Sequence, residues 1–171
     1  MTQGTQHSAD DPRNADILIS INGTMKHRRE AMVSVFDSGF VLGDGVWEGL
    51  RVVGGHPVFL DAHLDRLYEG AKAIMLDIGL DRTALTRAIY DTLDANGMRG
   101  DGVHVRLMVT RGVKSTPYQD PRVTVGPATI VIIPEYKVAS MAGSRRGLSL
   151  YTVHVRRGFP DVQDPKLTSH S

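Results

Sequence analysis

The chain contains no cysteine at all. That absence removes a disulfide framework, a thiolate zinc site and a cysteine nucleophile together. It has no surplus of either charge, with 20 Lys and Arg against 19 Asp and Glu for a formal net charge of +1. A nucleic-acid or anionic-membrane footprint needs clustered positive charge, so neither partner is expected. Long apolar runs are also missing. Ala128 to Ile133 and the interrupted stretch Val46 to Leu60 fall short of the roughly 18 residues that a spanning helix requires. Residues 1–16 have no apolar core of a secretory signal, and the chain reads as cytoplasmic. Seven histidines are scattered without a helical i,i+4 pair or a ligand-type carboxylate cluster, so no metal is expected.

What remains is the composition of an ordinary soluble domain. The 171 residues are 41% hydrophobic and 23% charged, enough for one core. Residues 1–15 are rich in Asp, Asn, Gln, Ser and Thr and read as a disordered tail. Ile17 to Ile21 is a short strand, and Asn22-Gly23 signals a two-residue hairpin into a second strand over Met25 to Arg28. Ala31 to Phe36 is apolar, and the glycine-punctuated stretch 38–45 follows as a tight turn. Val46 to Val53 and His56 to Phe59, split by Gly54-Gly55, form a second hairpin.

Two helices come next. Asp61 is placed to cap the first, with Leu64, Leu67, Tyr68, Ala71, Ile74 and Met75 as its buried stripe. Asp81 caps the second, striped by Leu85, Ala88, Ile89, Thr92 and Leu93 and ended by Gly97 in a left-handed conformation. Val103, Val105, Leu107 and Val109 alternate with His104, Arg106, Met108 and Thr110, the period of a strand with one core face and one polar face. Ala128 to Ile133 suits a central strand, and Leu148 to Val155 reads as a further one. Hairpins, then helices, then strands again, without an internal repeat, indicate an α+β fold with helices on one side of a mainly antiparallel sheet.

Several residues carry chemistry on this pattern. Arg66 sits at the border of the first helix's apolar stripe, one turn before Gly70. It is either solvated or, with room beside a small residue, able to grip a phosphate or carboxylate bidentately. Arg51 and Arg106 lie in strands between apolar neighbours; each points either to solvent or into a carboxylate pocket. Lys166, one of five lysines, stands in Gln163-Asp164-Pro165-Lys166-Leu167 and by pattern alone is a loop lysine.

The order of motifs adds a further reading. The stretch from Val33 to Arg51, containing Phe36-Asp37-Ser38-Gly39 and Gly43-Asp44-Gly45-Val46-Trp47-Glu48-Gly49, is followed by Asp61-Ala62-His63-Leu64-Asp65-Arg66-Leu67, Thr110-Arg111-Gly112 and Arg156-Arg157…Pro165-Lys166. It closely resembles the fold-type IV pyridoxal-phosphate enzymes: branched-chain and D-amino acid aminotransferases, (R)-selective amine transaminases and aminodeoxychorismate lyases. The resemblance implies an N-terminal two-layer α/β sandwich domain over residues 16–138, and a linker and the start of a cofactor-binding second domain over 139–171. It implies pyridoxal 5'-phosphate as cofactor, Arg66 as its phosphate anchor and Lys166 as the catalytic lysine that holds it as a Schiff base and moves a proton. Trp47, Arg51 and Arg106 match substrate-pocket positions, with Tyr118 and Gln119 as further contacts. The loop 114–121 lacks the Arg and His that grip the α-carboxylate in D-amino acid enzymes.

The implied activity is ping-pong transfer of an amino group between an amino acid or amine and a 2-oxo acid, in a homodimer. Pyruvate release in the manner of aminodeoxychorismate lyase is the alternative within the family. Only five residues follow Lys166, so the chain reads as a fragment of a longer enzyme, with a non-catalytic assembly or binding module as the reading from another class.

Overall fold

The computed structural model describes residues 11–137 and 150–155. Two short strands, β1 (Leu18–Ile21) and β2 (Thr24–His27), open the fold. Asn22 and Gly23 both adopt positive φ between them, as a two-residue hairpin requires. A one-turn helix, α1 (Ser38–Leu42), precedes the long strand β3 (Gly45–Val53) and its short partner β4 (His56–Pro57). Helices α2 (Leu60–Ala73) and α3 (Arg82–Ala95) follow, then β5 (Val103–Thr110) and β6 (Thr129–Tyr136).

The six strands form one antiparallel sheet in the order β2-β1-β6-β5-β3-β4. Alternation decides what each strand buries. Val46, Leu50 and Val52 of β3 join Val103, Val105, Leu107 and Val109 of β5 and Ile130 and Ile132 of β6 in a single core. Leu64, Leu67 and Ala71 of α2 and Leu85, Ile89 and Leu93 of α3 complete it. Among the described residues, helices cover one face of the sheet and leave the other uncovered by them, the expected two-layer α+β sandwich. Among the described residues no helix is long and apolar enough to cross a membrane.

Asp81 caps α3 by accepting from the Ala84 N–H at 2.7 Å, and Gly97 follows the helix with φ of 62°. Both match the sequence reading. Elsewhere the structure departs from it. Phe59, in a left-handed conformation, occupies the N-cap of α2 with no side-chain cap bond, and Asp61 lies inside the first turn. A side-chain cap needs an extended N-cap residue, whereas here the chain turns sharply out of β4. Asp61 still places negative charge at the positive end of the helix.

The helix also ends earlier than its apolar spacing suggests, because Met75 is left-handed and 86% exposed. The stretch 38–45, expected as a turn, contains a helix. Asp37 accepts from the Gly39 N–H at its start, and Gly43 closes it with φ of 68°. Gly39 is needed there because a Cβ would collide with the Thr110 side chain.

Residues 11–15, expected within a disordered tail, include a 3-10 turn over Pro12–Asn14. The Asn14 amide donates to the Tyr136 carbonyl at 3.0 Å and accepts from its N–H at 2.8 Å, which ties this segment to β6. The expected strand over Leu148 to Val155 is not formed where the structure describes it. Residues 150–155 contain no strand, and Leu150, Tyr151, Val153 and Val155 are exposed. Apolar alternation makes a strand only where a ladder partner is present.

Candidate functional site

Strand β3 organises the site because its successive side chains point to opposite faces. On the helix-covered face, between Val46 and Leu50, stands Glu48, whose side chain is completely buried. A buried carboxylate requires charged or hydrogen-bonding partners. Helix α2 supplies two from positions i and i+3. Arg66 donates from Nε to Oε1 and from Nη2 to Oε2, both at 2.5 Å, and His63 Nδ1 lies 2.8 Å from Oε2.

Gly70, one turn further along α2, permits the close approach of helix to strand. A Cβ there would come within 3.3 Å of the Val46 side chain. Burial pushes the Glu48 pKa upward most strongly of any single influence. The hydrogen bonds from Arg66 and His63 nevertheless outweigh it, and the carboxyl titrates below its ordinary value. Glu48 in turn raises the Arg66 guanidinium further. Arg66 keeps 49% of its side-chain surface exposed, and among the described residues its Nη1 makes no hydrogen bond.

The opposite face of β3 has a different character. Trp47, Gly49 and Arg51 lie across the ladder from Met108, Arg106 and His104 of β5. The Arg106 guanidinium stacks over the Trp47 ring at 4.1 Å. Arg51 donates to the Lys137 carbonyl at 3.0 Å. The His104 ring packs against Gly49, where a Cβ would sit 3.1 Å from its Nε2. Burial, then the positive charges of Lys137, Arg106 and Arg51, push the His104 pKa down to about 4. Three cations and a neutral imidazole thus share one patch, which can take a carboxylate.

Of the residues singled out in the sequence, Trp47, Arg51 and Arg106 are brought together on this outer face. Arg66 stands with Glu48 on the other. Tyr118 lies in an exposed loop, one end of which is anchored by the buried Lys114, whose Nζ donates to the Asp120 carbonyl at 3.2 Å. Lys166 lies outside the described residues. Glu48, His63 and His104 were missed as site residues. The signal was available: an acidic residue at a core-facing position of a strand demands a cation, and His63 and Arg66 share one face of the next helix.

Arg111 holds the two layers in register. It pairs with Asp44 through Nε at 2.7 Å and Nη2 at 3.0 Å, and donates to the Met75 and Ile74 carbonyls at 2.8 and 2.7 Å. The C-terminal end of the Arg66 helix is therefore fastened to the turn that begins β3.

Residues 45–167, which span β3, α2, α3, β5, β6 and Lys166, match the family model for class IV amino-transferases. The chain belongs to the class IV aminotransferase family. Among class IV relatives, branched-chain-amino-acid aminotransferase-like protein 1 of Arabidopsis thaliana is 38% identical over 156 residues, covering 91% of this chain and 28% of that protein. A solved branched-chain aminotransferase of the thermophilic archaeon Thermoproteus uzoniensis, with norvaline, superposes with a TM-score of 0.59 at 27% identity, over 70% of this chain and 40% of its own. The 4-amino-4-deoxychorismate lyase of Pseudomonas aeruginosa superposes with a TM-score of 0.58 at 30% identity, over 74% and 42%. The chain thus spans less than half of the length of each of these class IV proteins.

Proposed function

We propose that this class IV chain serves a pyridoxal-phosphate-dependent aminotransferase that moves an amino group between an amino acid or amine and a 2-oxo acid. The observation that carries the reading is the state of Arg66. Its guanidinium is held on one edge by a buried carboxylate, and among the described residues its Nη1 makes no hydrogen bond, which suits a phosphate oxygen. The residues present fit the cofactor's phosphate at this point. When bound, pyridoxal phosphate supplies an electron sink that stabilises negative charge beside an amine-bearing carbon.

The chain's own residues divide the remaining work. Arg66 holds the phosphate. Lys166, inside the matched stretch 45–167, offers the amine that retains the cofactor and carries the proton on its Nζ. Arg106, stacked on Trp47, and Arg51 bind and orient substrate carboxylates, with Tyr118 contributing from its loop. Met32, Val33, Val35, Phe36 and Phe40 are exposed near α1, and this apolar strip supports a homodimer in which a second copy covers it.

The test is transfer itself. The full-length protein with added pyridoxal phosphate is mixed with L-leucine, D-alanine or glutamate and a 2-oxo acid, and formation of the new amino acid is followed by chromatography. Transfer that depends on both partners supports the proposal. Similarity to the P. aeruginosa lyase favours one second reading, pyruvate release from aminodeoxychorismate, which would proceed with no 2-oxo acid acceptor.

A further inference from the structure

An arginine on a helix surface keeps many rotamers, and a guanidinium that must meet a ligand gains from being fixed beforehand. Arg66 is half exposed, yet two of its three nitrogens are committed to Glu48. Glu48 itself has little freedom. It is completely buried between Val46 and Leu50 on a strand paired with β5 from Gly45 to Val52, and His63 lies against Oε2. We infer that Glu48 is a positioning residue for Arg66: it clamps the guanidinium through Nε and Nη2 and so presents Nη1 to the phosphate. The inference rests on the reading that Arg66 takes the cofactor's phosphate.

The arrangement has a consequence that separates geometry from charge. Glu48 is negative and adjoins the guanidinium, so by electrostatics alone it weakens the attraction of Arg66 for an anion. Replacing it with glutamine would then strengthen phosphate binding. If its role is to hold Arg66 in place, the same substitution weakens binding despite the more positive site.

The measurement is the affinity of the cofactor-free full chain for pyridoxal phosphate and for pyridoxal, each titrated separately. The aldehyde chemistry is common to both probes, so the ratio of the two dissociation constants isolates the phosphate. Glu48→Gln should lower that preference for the phosphorylated probe about tenfold, the equivalent of about 1.4 kcal/mol. Arg66→Ala should lower it at least as far, and adding Glu48→Gln to Arg66→Ala should change it no further.

An unchanged or increased preference in Glu48→Gln would overturn the inference. So would equal loss of affinity for both probes, which marks a merely structural role, or a further loss in the double variant. If Arg66→Ala leaves the preference intact, the phosphate reading itself fails, an outcome distinct from the others. Should Glu48→Gln not fold, Glu48→Asp keeps the charge but withdraws the carboxylate by one methylene. The same drop is expected there, and an intact preference would overturn the clamp.

Discussion

His104 stands on the outer face of β5 with positive charge on several sides. Arg51 faces it across the ladder on β3, Arg106 is two residues along the same strand, and Lys137 adds its charge from just beyond β6, where Glu135 is the cross-strand partner. Burial and those cations keep the ring neutral down to about pH 4. In the unfolded chain the same ring takes up its proton near pH 6.5. Between those values the unfolded state binds more protons, so stability rises with pH through the window. The contribution is complete above about pH 6.5 and is lost as the pH falls towards 4.

At 1.36 kcal/mol per unit the whole shift corresponds to about 3.4 kcal/mol, of which about 2 kcal/mol is expressed by pH 5, and screening by the solvent that reaches the ring reduces that part to about 1 kcal/mol. The assay is urea denaturation of the parent and of His104→Gln at about pH 7 and about pH 5. Carboxylates and other histidines titrate in both proteins, so only the difference between the two losses reports on this ring. The parent should lose about 1 kcal/mol more than the variant. Equal losses, or a greater loss in the variant, would refute the placement of a neutral imidazole among three cations.

Three other outcomes are expected. On the proposed transaminase reading, in which Arg106 takes a substrate carboxylate, Arg106→Gln should reduce kcat/KM for glutamate about tenfold or more while changing that for leucine much less; steady-state kinetics on both donors decides it. Arg111→Met removes the Asp44 pair and the bonds to Ile74 and Met75, and should cost about 2–3 kcal/mol in urea denaturation. Gly112→Ala places a Cβ against the Pro127 carbonyl at a residue with φ of 96°, and should cost at least about 2 kcal/mol by the same measurement.

Where local chemistry dominates, the fold was legible. Asn22-Gly23 turned as its type demands, Asp81 and Gly97 bounded α3, and the alternation in β5 placed Val103, Val105, Leu107 and Val109 inside. Long-range partners account for the rest. Asn14 is ordered because the backbone of Tyr136, 122 residues away, meets its amide. Met75 leaves the α2 helix although its spacing is helical, and the carbonyls at that end are taken by Arg111, just beyond the end of β5. Site residues divide in the same way. Arg51 and Arg106 follow from strand period and Arg66 from its place at the border of a helical stripe, while the resemblance to the class IV family added Trp47. Glu48 carried a signal of its own, an acid at a core-facing strand position, and α2 laid across β3 shows which groups answer it.

The dependence of the site on β3 goes further than packing. Odd-numbered positions 47, 49 and 51 face the cationic patch, while 46, 48, 50 and 52 face the helices. A slip of one residue would exchange the faces, exposing Glu48 and burying Trp47 and Arg51 beneath α2. Eight consecutive pairs with β5, from Gly45↔Thr110 to Val52↔Val103, oppose that slip. So does the loss of apolar burial, since Val46, Leu50 and Val52 would all turn outward. The same hydrophobic alternation that stabilises the sheet therefore also keeps Glu48, with Arg66 of α2 clamped to it, on one face of β3 and Trp47 and Arg51, with Arg106 of β5 beside them, on the other.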